Sequence, residues 1–371
     1  MSEWKKVKLG EITSIKTGKL DSNASVSNGI YPFFTCDPST LSIDKWAYDT
    51  EAILLAGNNA SGNYTAKYYK GKFNAYQRTY IIETINPQFA SVRFMAYAMN
   101  QQLQLLKVMS TGSTTKFLTM KMLTQLTINL PQIEIQHRIA NILSRYDSLI
   151  ENYQKQIKLL EEAAQRLYKE WFVDLRFPGH ENTKIVDGVP EGWEKKKVAD
   201  VVVFYDKMRK PLSSMQRQSM EKIYPYYGAA SLMDYVDNYL FDGTYLLMGE
   251  DGTVISNEKY PMLQYVWGKF WVSNHAHVLQ GKEPYSTEFI YMMLKQMTIL
   301  DVVTGAAQPK ISQGRLAAKE IIMPANELVK EYDKIVVPMI QQAKSLQSQL
   351  RLLAEARDRL LPKLMSGEIE I

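Results

Sequence analysis

QKQIKLLEEAAQRL, from Gln154 to Leu167, returns 193 residues later as QSQLRLLAEARDRL, from Gln347 to Leu360. Eight of the fourteen positions are identical: Gln154/Gln347, Gln156/Gln349, Leu159/Leu352, Leu160/Leu353, Glu162/Glu355, Ala163/Ala356, Arg166/Arg359 and Leu167/Leu360. Average composition gives about one such match by chance. Apolar periodicity asks for the leucines but not for the Gln, Glu and Arg, so the stretch marks an internal duplication. Working outward, Thr111-Gly112 pairs with Thr304-Gly305 and Pro131 with Pro324 at the same offset. Further from the helix the offset drifts: Gly71-Lys72-Phe73 faces Gly268-Lys269-Phe270, ILLAG from Ile53 faces YLLMG from Tyr245, IYPFF from Ile30 faces IYPYY from Ile223, and Trp4 faces Trp193.

Each half therefore follows one plan, a stretch of short β-like runs and then one long helix. Strands are expected at Ile53–Gly57, Ala75–Glu83 and Leu126–Leu130, and again at Thr244–Gly249, Trp271–Leu279 and Glu320–Pro324, bounded by Gly, Asn and Pro. Apolar spacing adds a short helix at Val92–Leu106 and another at Thr287–Leu300. The fold class is α+β, with an α+β domain at 1–130, a helix at 131–178, a second domain at 179–323 and a second helix at 324–371.

Both helices carry heptads. Position a holds Ile139, Tyr146, Tyr153, Leu160 and Leu167 in the first and Tyr332, Met339, Leu346, Leu353 and Leu360 in the second. Position d holds Ile142, Leu149, Gln156 and Ala163, then Ile335, Gln342, Gln349 and Ala356. Forty helical residues span about 60 Å, more than one domain needs for its own cover, so the two helices are expected to pair with each other as an antiparallel coiled coil. The pairing predicted from equal offsets sets Ile142 near Leu353. The apolar stripe is widened by Trp171, Phe172 and Leu364 beyond a two-helix seam, which suggests that further helices join it. Pro338 should bend or start the second helix and Pro362 should end or kink it.

Composition narrows the chemistry. The 371 residues predict two to three domains, and 46% hydrophobic with 22% charged residues is a folding composition. A net charge of +5 is compatible with a polyanionic partner without requiring one. The single cysteine, Cys36, excludes an internal disulfide and a Cys-based zinc cluster and fits a reducing, cytoplasmic setting. Neither a signal-peptide core nor an apolar run of membrane-spanning length occurs, so no membrane role is expected. None of Gly18-Lys19, Gly71-Lys72, Gly268-Lys269 or Gly281-Lys282 has the glycine a phosphate-binding loop needs, and Asn86-Pro87-Gln88-Phe89 lacks the second proline of an amino-methyltransferase motif. His275 and His277, two apart in a β-like run, would share a face. A metal there lacks an acidic or Cys partner at recognisable spacing, so a polar surface pair or a DNA-contacting pair is the better expectation.

What remains is binding chemistry. Lys5, Lys6 and Lys8 after Trp4, Lys195 to Lys197 after Trp193, and the loop cations Lys16 and Lys19, Lys207, Arg209 and Lys210 suit phosphate contacts, and equally an ordinary solvated face. After the LLxG-type strands come Asn58-Asn59-Ala60-Ser61-Gly62-Asn63-Tyr64 in one half and Glu250-Asp251-Gly252-Thr253 in the other. Asn pairs with adenine edges and acidic groups accept from cytosine, so the loops could read different bases; ordinary turns explain them nearly as well.

Taken together, LPQIEIQHRIANIL (130–143), LLEEAAQRLYKEWFVDLRFPG (159–179) and RDRLLPKLMSGEI (357–369) resemble the specificity subunits of type I restriction-modification enzymes over the full length. TGSTTKFL (111–118) and TGAAQPKIS (304–312) resemble the glycine-led segment near the end of that family's target-recognition domains. The resemblance implies a non-catalytic DNA reader: two target-recognition domains on a pseudo-twofold repeat, each reading one half of a bipartite, asymmetric target in double-stranded DNA. It also implies two methyltransferase subunits docked on the coil and, in some systems, restriction or translocase subunits. S-adenosylmethionine and ATP are then expected only in those partners, and no cofactor or metal in this chain. On it we add Arg78, Ser113, Thr114, Lys116, Gln308 and Lys310 to the candidate DNA contacts. A type IIB specificity chain and a coiled-coil scaffold that reads no sequence are the alternatives.

Overall fold

The computed structural model describes residues 4–59, 64–109, 116–256, 258–305 and 308–371, with the backbone alone for Leu103, Gln104 and Met109. The chain divides into two compact units, one made of 1–152 with 350–371, the other of 153–349.

In the first unit a six-stranded sheet is built from β2 (Thr13–Thr17), β3 (Tyr31–Phe34), β4 (Leu41–Ile43), β5 (Tyr48–Ala56), β7 (Ala66–Ala75) and β8 (Thr79–Thr84), in the order β2-β8-β5-β7-β3-β4. The central β5 carries Ala52-Ile53-Leu54-Leu55, all buried, as a strand covered on both faces requires. Beside the sheet lie two ribbons, β1 (Lys5–Lys8) with β10 (Thr127–Leu130) and β6 (Asn58–Asn59) with β9 (Lys116–Phe117). Helices α1 (Leu9–Ile12), α2 (Val92–Gln101), α3 (Leu103–Met109) and α4 (Met120–Gln125) complete the domain. Ser91 starts α2 by accepting from Phe94 N–H, and Thr119 starts α4 by accepting from Met122 N–H, the usual use of a short hydroxyl at an N-cap.

The second unit repeats this topology. After a hairpin of β11 (Ile185–Val186) and β12 (Val189–Pro190) come β13 (Glu194–Lys197), β14 (Val202–Phe204), β15 (Tyr224–Tyr227), β16 (Leu232–Val236), β17 (Phe241–Gly249), β18 (Leu263–Val272), β19 (Ala276–Gly281), β20 (Val303–Thr304), β21 (Lys310–Ile311) and β22 (Glu320–Met323). Its large sheet runs β14-β19-β17-β18-β15-β16, strand for strand the order of the first, and β13 pairs β22 as β1 pairs β10. In both sheets one neighbouring pair is parallel, β3 with β7 and β15 with β18. Helices α6 (Val198–Val201), α7 (Ser214–Gln218), α8 (Thr287–Gln296) and α9 (Gln313–Ala318) belong here, and Ser286 and Ser312 cap α8 and α9 as Ser91 and Thr119 cap their counterparts.

The expected runs 75–83 and 271–279 are each broken by a turn: β7 stops at Ala75 and β8 starts at Thr79, while β18 stops at Val272 and β19 starts at Ala276. The turns are made by Tyr76-Gln77-Arg78 and Ser273-Asn274-His275, which contain no glycine or proline to announce them.

The long helices are α5 (Ile133–Tyr168), which ends in a π-type turn at Lys169–Val173, and α10 (Asn326–Ser366). Their segments run antiparallel in each unit: in the first, Arg357 Nη1 lies 2.9 Å from Asp147 Oδ1, and in the second, Tyr332 donates its hydroxyl to Ala164 O at 3.0 Å. The register differs from the expected one. Ile142 shares a cluster with Leu360, Leu361 and Leu364, one heptad beyond Leu353. α10 runs without a break through Pro338 and Pro362, both exposed.

The seam is thinner than its heptads suggest. Ile139, Trp171, Leu346 and Leu364 are buried, Ile142, Tyr146, Tyr153, Leu160, Leu167, Leu353 and Leu360 are half-buried, and Leu149 is exposed. The extra width of the apolar stripe is covered by helices of the chain's own domains, α2 against Leu364 and α8 against Phe172. Gln136 of α5 accepts from Ser91 N–H and donates to Phe89 O, and Tyr332 of α10 meets Phe289 of α8 edge-on. Trp171 belongs to the same aromatic core, against Phe172 and against Tyr332 of α10, so of its expected places, coil or partner interface, the buried ring takes the coil.

Candidate functional site

At the carboxyl end of each central strand the chain makes one hydrogen-bonded frame, and it makes it twice. In the first domain Gly57 donates its N–H to Arg78 O at 2.7 Å and accepts at its own carbonyl from Leu118 N–H at 2.9 Å. In the second, Glu250 donates to His275 O at 2.8 Å and accepts from Ile311 N–H at 2.8 Å. Asn58 pairs with Phe117 just as Asp251 bridges to Lys310. Gly57/Glu250, Asn58/Asp251, Phe117/Lys310 and Leu118/Ile311 all stand 193 residues apart, so the frame is a product of the duplication.

What the frame carries differs between the domains. The first presents Asn58, whose Oδ1 accepts from Cys36 Sγ at 2.7 Å, and Arg78, whose guanidinium stands 5.9 Å over the Phe117 ring. Asn59 and Lys116 pair alongside. The second presents His275, exposed in its turn, with Nδ1 2.7 Å from Asp251 Oδ1, and Lys310, with Nζ 3.6 Å from Glu250 Oε1. The first domain thus carries an amide, a guanidinium and an aromatic ring, and the second an imidazole, a carboxylate and an ammonium. The two sets differ in their donor and acceptor groups.

Several expected contacts are placed elsewhere. Tyr64 is buried in the first domain's core. Lys16 is ion-paired to Glu83 at 2.7 Å and lies over Tyr48. His277 is wholly buried, with Nδ1 2.6 Å from Asp206 Oδ2 and Nε2 2.9 Å from Ile311 O, so it shares no surface with His275, which sits in the turn before the strand. Arg209 is no free cation: Nη1 reaches Glu250 Oε2 at 2.6 Å and Ala276 O at 2.8 Å, and Nε donates to Asp206 O at 3.0 Å. Glu250 is held by the same pair and by Lys310 and is therefore a frame residue. Lys19, Lys207, Lys210, Thr253 and Gln308 are exposed. Ser61, Asn63, Ser113 and Thr114 lie outside the described residues.

The donor atoms of Asp206, Glu250 and His277 lie within 4.8 Å of one another, a grouping that could hold a divalent ion. Arg209 already stands in that grouping, 3.6 Å from Asp206 Oδ2 as well as on Glu250, and supplies the positive charge an ion would bring. The donor set is satisfied as an internal ion-pair network and does not fit a metal.

Sequence reasoning missed Cys36, Phe117, Asp206 and Lys67. Lys67 lies opposite Leu54 with its ammonium donating to Asp37 O and Thr40 Oγ1, and burial pulls it below the ordinary lysine range. Cys36, in the bend after β3, reaches Asn58 and Arg78 O of the frame from 22 and 42 residues away, which no local motif announces.

The sequence matches the family described as type I restriction modification DNA specificity domain at residues 1–162 and again at 190–347, one match per domain. The specificity subunit of the type I restriction enzyme EcoDI from Escherichia coli is 26% identical over 99% of this chain and 89% of its own length. That of the MjaIX enzyme from Methanocaldococcus jannaschii is 27% identical over 72% of this chain and 66% of its own. Among solved structures, the S subunit of a type I restriction-modification system from M. genitalium matches with a TM-score of 0.70 at 19% identity, covering 98% of this chain and 96% of that one. That likeness concerns the fold. Among the described residues no helix is long and apolar enough to cross a membrane.

Proposed function

Since the chain belongs to the type I restriction-modification DNA specificity family, we propose that it reads a bipartite, asymmetric target in double-stranded DNA, one half per recognition domain, with an unread gap between. The observation that carries this is the repeated frame with unlike contents: Asn58, Arg78 and Phe117 in one domain, Asp251, His275 and Lys310 in the other. Base contacts specify while phosphate contacts position, so unlike side chains on one frame give unlike half-sites. Lys19, Lys207 and Lys210, exposed, are the phosphate-contact candidates.

The partners follow from where the helix identities lie. Gln154, Gln156, Leu159, Glu162, Ala163 and Arg166 are exposed, and so are all six counterparts, Gln347, Gln349, Leu352, Glu355, Ala356 and Arg359. Coil packing does not need identical exposed residues, and leucines at 53% and 59% exposure at equivalent positions favour two copies of one partner. Those copies are two methyltransferase subunits, which bring S-adenosylmethionine, with ATP-using restriction or translocase subunits as further partners. This chain supplies sequence choice and the scaffold.

Whole-genome methylation mapping in cells carrying the chain and its methyltransferase tests the reading. Exchanging Asn58, Arg78 and Phe117 for the second domain's Asp, His and Lys should alter one half-site and leave the other and the gap unchanged. An ungapped motif, or a change in both halves, sinks the two-reader account.

A further inference from the structure

Just inside each frame lies a second repeated contact. On β8, Tyr80 stands opposite Leu55, and on β19, His277 stands opposite Met248, which is 193 residues on from Leu55. The two side chains therefore occupy one position of the duplicated sheet. Tyr80 donates its hydroxyl to Leu118 O at 2.8 Å, and His277 holds Nε2 2.9 Å from Ile311 O, the carbonyl at the equivalent place. Burial pushes the Tyr80 hydroxyl above the ordinary tyrosine range, which keeps it a donor. Leu118 and Ile311 are buried, and each directly follows the exposed side chain at the frame, Phe117 or Lys310. Each is also bonded at its own N–H, to Gly57 O or Glu250 O. A residue tied at both N–H and C=O has the peptide planes on either side of it held, and the plane before it is shared with Phe117 or Lys310.

We propose that Tyr80 and His277 are the positioning residues of the two recognition domains: each pins the segment that carries Phe117 or Lys310 and so sets base choice in its own half-site without touching DNA. The inference rests on the DNA-specificity reading above. The two anchors are braced differently. The Tyr80 hydroxyl donates to Leu118 O, whereas His277 is also backed through Nδ1 by Asp206, whose other oxygen accepts from Val278 N–H at 2.9 Å.

The test uses the full chain in complex with its methyltransferase. Methylation rates are measured on duplexes carrying the motif mapped for the wild-type complex and on duplexes with one wrong base in either half. Tyr80→Phe keeps the ring and removes the donor. It should lower discrimination in the first half-site by about fivefold, the weight of one neutral hydrogen bond, with the second half-site and the salt dependence unchanged. His277→Leu should relax the second half-site only, and His277→Gln, whose amide can donate to Ile311 O, should restore it. A general packing role would instead lower rates on all duplexes alike. Unchanged discrimination in Tyr80→Phe, or equal loss in both halves, overturns the proposal, whatever the histidine variants do. A wild-type complex without a gapped target would sink the functional reading, and this inference with it.

Discussion

Arg209→Ala should damage the second domain's stability before its DNA binding. The side chain is 13% exposed and spends its donors inside the protein, on Glu250 Oε2 at 2.6 Å, Ala276 O at 2.8 Å, Asn274 O at 3.2 Å and Asp206 O at 3.0 Å. Truncation leaves two carboxylates without their guanidinium and three carbonyls without that donor. Removing one member of a buried ion pair costs about 3–5 kcal/mol. Lys310 stays near Glu250 and His277 stays on Asp206, so the lower end, about 3 kcal/mol, applies. In a unit of this size 1 kcal/mol moves the melting temperature by about 2–4 °C, so a drop on the order of 10 °C is expected. Calorimetry of the full chain should show it in the transition of the second unit while the first holds its place. Lys207→Ala, two residues earlier and exposed, is the control. It should melt like the wild type and reduce the salt slope of DNA binding by about one. If Arg209→Ala melted like the wild type and instead lost salt-dependent DNA affinity, the guanidinium would be a phosphate contact and the ion-pair account wrong.

Trp171→Ala should lower stability by about 3–5 kcal/mol, because the indole packs on Phe172 and Tyr332 in the second core; a normal denaturation midpoint with weakened partner capture would put it back at an interface. Burial, with the nearby Glu288 charge adding to it against a hydrogen bond from Ser286, pushes Asp333 up to about 6. Its charged form is thus disfavoured in the fold, and stability falls as pH rises from the ordinary carboxylate range through about 6. Asp333→Asn should therefore gain about 1 kcal/mol above pH 7, allowing for solvent screening, and nothing below pH 4; melting curves across that range that superimpose on the wild type would refute it. Cysteines at 147 and 357 should be joined rapidly by a short bis-maleimide, whereas preferential joining of 142 to 335 would mean a parallel pair.

The duplication and the two helices were legible because identical residues recur at a fixed offset inside strong apolar periodicity. Strands β7 and β18 were not, since AKYYKGKFNA and LQYVWGKFWV mix lysine, glycine and half-exposed aromatics without clean alternation. The candidate loops do follow the central strands β5 and β17, but the ion pairing of their charges was not legible. Arg209 and Glu250 are 41 residues apart and His277 and Asp206 are 71 apart, so sequence shows four charged or titratable residues where the fold makes one internal network. Leu149 fits its heptad and is exposed, because the buried part of the seam lies where the helices meet their domains and, among the described residues, none of α5 between Leu143 and Ala164 is buried.

The division of the chain dictates an order of synthesis and folding. The second unit is one continuous stretch, 153–349, while the first needs 350–371 to supply Leu364 and Met365 to its core. On a ribosome the first domain's 4–152 stretch therefore emerges before the second unit yet stays without that cover until 350–371 have been made. Closing a loop of about 200 residues costs entropy that grows only logarithmically with length, but it slows folding. Because α10 is one helix from Asn326 to Ser366, 350–366 continue directly from the part that belongs to the second unit. A nascent chain arrested before residue 350 should thus hold a protease-resistant second unit and a first domain that chaperones still recognise.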